Sequence, residues 1–544
     1  MSGKTASFGR SSLIMTAGTL VSRILGFVKA IVLAAAIGST IGGSADAFDV
    51  ANKIPNNIYM LIAGGVLNAV LVPQIVRASK QSDGGKNYTD RLLTLSISGL
   101  LIVTLILTAL SGLMVRVYAS SGWSQDQIAL ATAFAYWCIP QVFFYGLYTL
   151  LGQVLNAKGS FGPYMWAPVI NNIVSIAGLV AFIALFGRGD QGQHPVGSWD
   201  DGKISLIAGT ATLGVVAQAL ILIWPLMRSG FRFMPRFGFR GVGLSRASKV
   251  AGWTFAAVLI GQIGFIVTSQ VASSATSQSG ESSASNAAYT LGFLVFMLPH
   301  SLAAVSIATA LFTPMSHDAA SGDLDAVRRN FSAGLRTVAV VNVFATAALL
   351  VLAGQVGLIL AGGTREQGAS IGMVIVAMVL GLVPFSANYL IQRVFYAFED
   401  ARTPFLVQIP VVVLTAAGVL ASATLPKQWI VVGIGLAMSL ANTIGAVLAA
   451  GQLRRRLGSI DGDRILSAHV KLAFAAVLSS AAGVLSLWPL AEFSWSGRAG
   501  SFVTVLIVGT VMAIVYFVFC HVFRVSEVRD VLAAVVGRRG RQVR

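Results

Sequence analysis

Arg23, Lys29, Asp46, Asp49 and Lys53 stand inside or at the edges of two apolar runs that together fill the stretch from Gly18 to Arg77. A charge at mid-bilayer costs about 2.5–3.5 kcal/mol even on the lenient insertion scale, so such residues are expected to face a wet cavity or a partner. The chemistry open to the cations is anion binding. Arginine's planar fork gives phosphate two hydrogen bonds at once, whereas lysine acts as a point charge. Arg23 and Lys29 are six residues apart and so do not share one strict helix face; a bend near Gly26, or a wide cavity, is expected to bring both to one aqueous space. In the second run Asp46, Asp49, Asn52, Lys53, Asn56 and Asn57 recur at three- and four-residue steps, a polar stripe at helical period. The plainer alternative for the acids is a structural ion pair, for example Asp46 or Asp49 with Lys29. Arg393, beside Asn388 and Gln392, is a further candidate anion contact, set against simple snorkelling to the interface.

Other chemistry is sparse. There is no phosphate-cradling glycine loop with its lysine, no metal-ligand spacing and no nucleophile elbow, so no enzyme, metal or cofactor is expected. The two cysteines, Cys138 and Cys520, lie in apolar runs and imply neither disulfide nor metal site. The histidines His194, His300, His317, His469 and His521 are scattered. His300 follows Pro299 inside an apolar span. A hydrogen bond to a neighbouring helix is the plainer reading there, a proton relay the sharper one.

The elements that must position these residues are membrane helices. Of 544 residues, 56% are hydrophobic and 11% charged, and the mean hydropathy is +0.78. Soluble domains carry about 25% charged residues. With about 20 residues per span, the chain reads as an all-α polytopic membrane protein of about fourteen transmembrane helices. Their centres fall near Leu25, Ile62, Leu105, Phe143, Val174, Ala219, Ile260, Val305, Phe344, Val376, Val412, Leu436, Val477 and Val508. No cleavable signal is expected, because the first apolar run is long and many more follow.

Lys and Arg (38 against 20 acids, net +18) concentrate in alternate connections. These hold Arg77, Lys80, Lys86 and Arg91, then Lys158, then the run from Arg228 to Lys249, then Arg328 and Arg329, Arg402, and Arg454 to Arg464. By the positive-inside rule both termini are cytoplasmic. The positive balance is explained by this asymmetry and by the anionic inner leaflet, so no nucleic-acid partner is expected. The basic tail after Arg524 is expected at the membrane surface.

The chain also repeats. Leu150–Ala157 (LLGQVLNA) precedes Leu390–Ala397 (LIQRVFYA) by 240 residues, each followed by a polar turn and a proline, Pro163 or Pro404. Ala69–Pro73 echoes Ala310–Pro314 at nearly the same offset. Two pseudo-symmetric six-helix lobes are expected, 1–235 and 236–458, with two further helices over 459–523 and a tail over 524–544. Pro55, Pro140, Pro168, Pro299, Pro384 and Pro410 mark points where spans bend.

Four segments carry a family resemblance: SRILGFVKAIVLAAAIG from Ser22, ADAFDVANKIPN from Ala45, LNAKGSFGPYMWAPVINN from Leu155 and RVFYAFEDARTP from Arg393. Through them, and over essentially its whole length, the chain resembles the MurJ (MviN-type) lipid II flippases of the multidrug/oligosaccharidyl-lipid/polysaccharide exporter superfamily. The resemblance implies a flippase of the bacterial cytoplasmic membrane. It would carry undecaprenyl-diphosphate-linked disaccharide-pentapeptide from the inner to the outer leaflet by alternating access, for peptidoglycan synthesis. By motif position it implies diphosphate-facing or gate roles for Arg23, Lys29 and Asp46, with Lys53 matching a further basic position; the polar pattern itself adds Asn56 and Arg393 as candidate anion contacts and Asp49 beside Asp46 as a gate or ion-pair residue.

Departures from the family pattern are Ala30 after Lys29, Tyr59 and Met60 in place of a basic pair, Gly64 in place of Glu, and Leu294 in place of Arg. The family's sodium site uses acids in the seventh and eleventh spans. None stands there in this chain, so membrane potential rather than sodium is the expected drive. Cell-wall synthesis or division proteins are candidate partners. The rival readings are a related exporter of drugs or of another polyprenyl-linked oligosaccharide, and a non-transporting scaffold for cell-wall enzymes.

Overall fold

The computed structural model describes residues 2–40, 43–62, 86–158, 160, 162–237, 248–276 and 284–528. Ala69–Pro73, Gly64, Arg77, Lys80 and the tail beyond Val528 lie outside them. The fold is all-α, with no strand among the described residues. Among the described residues, eleven helices or unbroken helix pairs are long and apolar enough to cross a membrane, and a pair bent by 44° makes a twelfth. The remaining two expected centres also fall on helices. One of these, Ser44–Ile62, carries three charges in nineteen residues; the other has its described apolar stretch at Val258–Ser274. About fourteen spans is compatible with this count.

The chain forms two compact units, Met1–Glu281 and Ser282–Arg544. In the first, α1 (Ser2–Ile37) and α2 (Ser44–Ile62) precede α3 (Lys86–Ala109) and the short α4 (Ser111–Tyr118). There follow α5 (Gln125–Cys138), α6 (Gln141–Ala157), α7 (Gly162–Phe186), α8 (Asp201–Leu220), α9 (Ile223–Arg228) and α10 (Ser248–Ser274). α1 packs on α7, α7 on α8, and α2 on α5, α6 and α10. An apolar core of Leu92, Leu93, Leu100, Leu150, Val154 and Leu155 joins α3 to α6. The opposite face of α3 leaves Leu105 61% exposed and Ile102 58%. A helix that buries one apolar face and bares another is what a lipid solvent permits. Ser124 and Asp200 accept hydrogen bonds from the backbone N–H groups of Gln127 and Lys203 at the starts of α5 and α8, satisfying donors that a helix start leaves free.

The second unit comprises α11 (Asn286–Pro299), a single π-helical segment (His300–Val305), α12 (Ser306–Ala320) and the long α13 (Leu324–Ala361). Next come α14 (Arg365–Val379), α15 (Leu382–Ala397), α16 (Arg402–Ser422), α17 (Lys427–Leu457), α18 (Gly462–Leu487) and α19 (Arg498–Val522). α13 is the spine of the unit, packing on α12, α14, α15, α18 and α19. Its start is capped by Asp323 and its end by Gly362 at φ 69°, a conformation glycine adopts without strain. A capping box, Thr364 with Gln367, then starts α14.

The repeat seen in sequence has a local counterpart. Leu150–Ala157 and Leu390–Ala397 are the final two turns of α6 and α15, which stop at Ala157 and Ala397. Pro163 and Pro404 then sit in the first turns of α7 and α16, where a missing N–H costs nothing. Pro140 separates α5 from α6, and Pro299 closes α11 against the π segment. Pro55, Pro168 and Pro410 lie inside continuing helices.

Candidate functional site

α1 runs unbroken through Gly26, so Arg23 and Lys29 project about 120° apart around its axis. Both are half-buried, and among the described residues neither makes an ion pair or hydrogen bond. The turn that carries Arg23 is held from the side. Asn172 of α7 donates its amide N–H to the Ser22 carbonyl at 2.8 Å. A β-carbon at Gly18 would stand 2.9 Å from the Trp166 ring, and Asn172 lies opposite Gly26. The PVINN segment therefore fixes the helix on which the two cations ride.

α2 distributes its polar stripe over several partners. Asp46 is 2% exposed and accepts a 2.6 Å hydrogen bond from the Thr276 hydroxyl, just beyond α10. Asp49 pairs one turn on with Lys53 at 2.5 Å, and the Lys53 ammonium also sits 5.6 Å from the centre of the Phe265 ring on α10. Neither acid therefore uses Lys29 in the way the ion-pair alternative supposed. Asn52 accepts from Gln141 of α6, whose amide also reaches Thr212 of α8. Asn57 is buried with its amide turned to the Tyr118 hydroxyl, and Asn56 is half-buried next to Pro55. Tyr59, in the place of a cationic family position, turns to α6: its hydroxyl meets Thr149 at 2.5 Å and its ring packs on Tyr145.

Where α1 ends and α2 begins, the unit is tied by groups that sequence reasoning did not single out. The Ser44 hydroxyl donates to the His194 carbonyl and accepts from the Trp199 indole. Gln127, fully buried, donates to the Gly43 carbonyl. Trp123 donates to the Ser273 carbonyl at 2.9 Å, and Gln270 to that of Val117 at 2.7 Å. With Asp46–Thr276, these bonds fasten α2, α4, α5 and α10 at one end of the unit. The residue types carried a faint signal, since polar groups at the edge of apolar spans need partners. Which partner they take is decided by helices far apart in the chain.

At the other end of the first unit, Asp90 is fully buried. It accepts from the Met234 N–H at 3.4 Å, with Lys86 also 3.4 Å away. The Thr94 hydroxyl accepts from the Arg236 N–H at 3.0 Å. The basic segment after α9 is thus strapped across the start of α3.

In the second unit Arg393 is half-buried on α15. Its guanidinium turns back one helical turn, donating to the Tyr389 hydroxyl at 2.6 Å and lying over the Tyr389 and Tyr396 rings. Asn388 is buried with its amide oxygen unpaired. Among the described residues no group of three or more His, Cys, Asp or Glu side chains forms a metal site.

The family model described as "Lipid II flippase MurJ" matches residues 33–508. The chain is similar to a "Probable lipid II flippase MurJ" of Vibrio cholerae serotype O1, 27% identical over 412 residues, covering 73% of this chain and 74% of that protein. Its fold is similar to a solved lipid II flippase MurJ in an inward closed conformation, with a TM-score of 0.72 at 18% identity, covering 96% of this chain and all of that one. It is also similar to an inward-facing multidrug resistance MATE transporter of the MOP superfamily, with a TM-score of 0.65 at 14% identity over 83% of this chain and 99% of that chain. At these identities the structural likenesses speak of the fold, and the family match covers most of the sequence. The chain belongs to the lipid II flippase MurJ family.

Proposed function

We propose that this multi-pass membrane protein flips lipid II from the inner to the outer leaflet of the bacterial cytoplasmic membrane by alternating access, supplying peptidoglycan synthesis. The family match names the class of substrate. The observation that carries the chemistry is the pair Arg23 and Lys29, half-buried on a membrane-spanning helix with no counter-ion among the described residues. A cation is retained in such a place when water or an anionic ligand meets it. A diphosphate fits, because Arg23 offers it a two-pronged contact and Lys29 a compact charge.

In this reading Lys53 and Asn56 add to the anion contacts of the first unit. Asp49 holds Lys53 until the head group competes for it. Asp46, clamped by Thr276, acts as a gate residue. Arg393 offers the second unit an anion contact of its own, presented by Tyr389 and Tyr396. Membrane potential, negative inside, favours returning an empty cationic site inward, at about 2.3 kcal/mol per charge per 100 mV. Both termini are cytoplasmic in this reading, following the loop charges.

The test is conditional depletion of the protein followed by measurement of lipid II exposed on the outer leaflet, with complementation by wild-type and Arg23→Ala genes. Loss of exposure with accumulation of lipid II inside is expected, and only the wild-type gene restores it. Undiminished exposure after depletion would overturn the reading.

A further inference from the structure

Beyond lipid flipping, we propose that His300 is a proton-binding site in the second unit, at the head of a hydrogen-bond chain that reverses direction when the proton arrives. Three buried groups from three elements form the chain. Nδ1 of His300, in the π segment, lies 2.9 Å from Oγ of Ser386 on α15. That Oγ lies 2.7 Å from Nδ2 of Asn342 on α13. His300 is 2% exposed, and Ser386 and Asn342 are fully buried.

A hydroxyl has one proton to give and lone pairs to receive. With Asn342 donating to Ser386, the Ser386 proton goes to His300 Nδ1, which requires a neutral imidazole with that nitrogen bare. An imidazolium carries N–H on both nitrogens. Its Nδ1–H then donates to Ser386 Oγ, the Ser386 O–H swings towards Asn342, and the amide turns over to accept with Oδ1. Both hydrogen bonds survive in either state with their direction inverted. The amide can turn because Asn342 Oδ1, although buried, has no hydrogen-bond partner holding it.

Two further observations point the same way. Pro299 is followed by the π-helical turn His300–Val305, a local irregularity that concentrates at functional sites and frees backbone groups to move. An ionisable residue buried inside a membrane span is itself rare without a role. The surroundings can also accept a cation: Phe385 and Tyr389 of α15 place their ring centres 4.6 and 5.1 Å from the imidazole, and aromatic rings attract positive charge.

The titratable and charged groups on the packed elements are few. On α15 they are Tyr389, then Arg393, bound to the Tyr389 hydroxyl, and Tyr396. On α13 they are Asp325, Arg328, Arg329 and Arg336, all at least six residues before Asn342. On α11 there is Tyr289, and on α12 His317 and Asp318, near that helix's far end. α15 carries no carboxylate. A proton taken up at His300 therefore adds net positive charge between α13 and α15, and the conformation that hydrates this region is the one that binds it.

The experiment is amide hydrogen exchange on the full-length protein in detergent, without lipid II, from pH 5 to 8, corrected for the intrinsic pH dependence of exchange. In the wild type, protection of 300–305, 338–346 and 382–393 is expected to change by about threefold or more in one single-proton step. In His300→Gln, whose amide replaces the hydrogen bond but takes no proton, the step disappears. In Ser386→Ala, which keeps the imidazole and breaks the chain, the midpoint moves. Absence of a step in the wild type, its persistence in His300→Gln, or an unmoved midpoint in Ser386→Ala would each overturn the proposal. Since no lipid II is present, the outcome is independent of the flipping activity.

Discussion

Asp46 and Asp49 stand three residues apart on α2 and do different work. Asp49 faces its own helix's Lys53, an i, i+4 pair with both side chains partly exposed. Asp46 is buried and bound across to Thr276, 230 residues away. Removing one partner of a hydrogen bond to a buried charge costs about 1.5–3 kcal/mol. Thr276→Val is therefore expected to lower stability by roughly that amount, read as a fall in melting temperature in detergent, whereas Thr276→Ser should be nearly silent. Arg23 carries the opposite signature, a charge with no partner to lose among the described residues. Arg23→Ala is expected to leave the stability within about 0.5 kcal/mol of wild type, read as a nearly unchanged melting temperature. It should reduce lipid II flipping in proteoliposomes by about 10- to 100-fold, the worth of one bidentate charge-assisted contact. Arg23→Lys should recover part of the rate, since it keeps the charge and loses the fork.

Among the elements, α13 and α14 bring their backbones into direct contact. A β-carbon at Gly357 would collide with the Gly368 carbonyl, and one at Gly372 would press on the backbone of Gly354 at 2.9 Å. Small residues let membrane helices bring their backbones together. Gly357→Val is expected to cost more than about 3 kcal/mol, since backbone on the facing helix cannot yield as a side chain can. The result should be little folded protein in a size-exclusion profile.

The α15–α16 turn has an electrostatic lock of its own. Burial opposes the Asp400 charge, but hydrogen bonds from the Thr403 N–H and hydroxyl and from the Arg402 N–H, with the Arg456 charge, hold its carboxyl below the usual range. A depressed carboxylate pKa stabilises the fold above its unfolded value, near 3.9, and that contribution is lost as pH falls through the folded value. Melting temperature measured from pH 6 down to 3 is expected to drop less steeply in Asp400→Asn than in the wild type. Parallel curves would remove Asp400 from the account.

For the whole molecule, alternating loop charge makes a prediction about sidedness. Single cysteines placed at Ser198 and at Ser459 should label from opposite sides of the membrane in intact cells, because an odd number of spans separates them under the fourteen-span reading. Labelling from the same side would break that topology. Driving force is also a property of the whole chain. If the cationic first unit resets under the field, collapsing the potential in proteoliposomes should slow steady-state flipping while leaving lipid II binding unchanged.

Much of this was open to a reader of the sequence. The spans were legible because a bilayer demands about twenty apolar residues whatever their neighbours do. The α2 stripe was legible because helical period acts locally, and Asp49 with Lys53 is the local pair it contains. The ends of α6 and α15 were legible through LLGQVLNA and LIQRVFYA, each followed by a turn and a proline. Thr276 as the partner of Asp46, Asn172 as the brace under Ser22, and the Gln127–Gly43 and Trp123–Ser273 bonds were not. Nor was the bond of Arg393 to Tyr389, or the joining of His300, Ser386 and Asn342. The physical reason is range: hydropathy and period act over one or two turns and specify which segments cross the bilayer and which face is polar. The partner of each buried polar group is set only when helices distant in sequence pack, and then a few ångströms decide whether a charge is clamped, paired or left to meet a ligand.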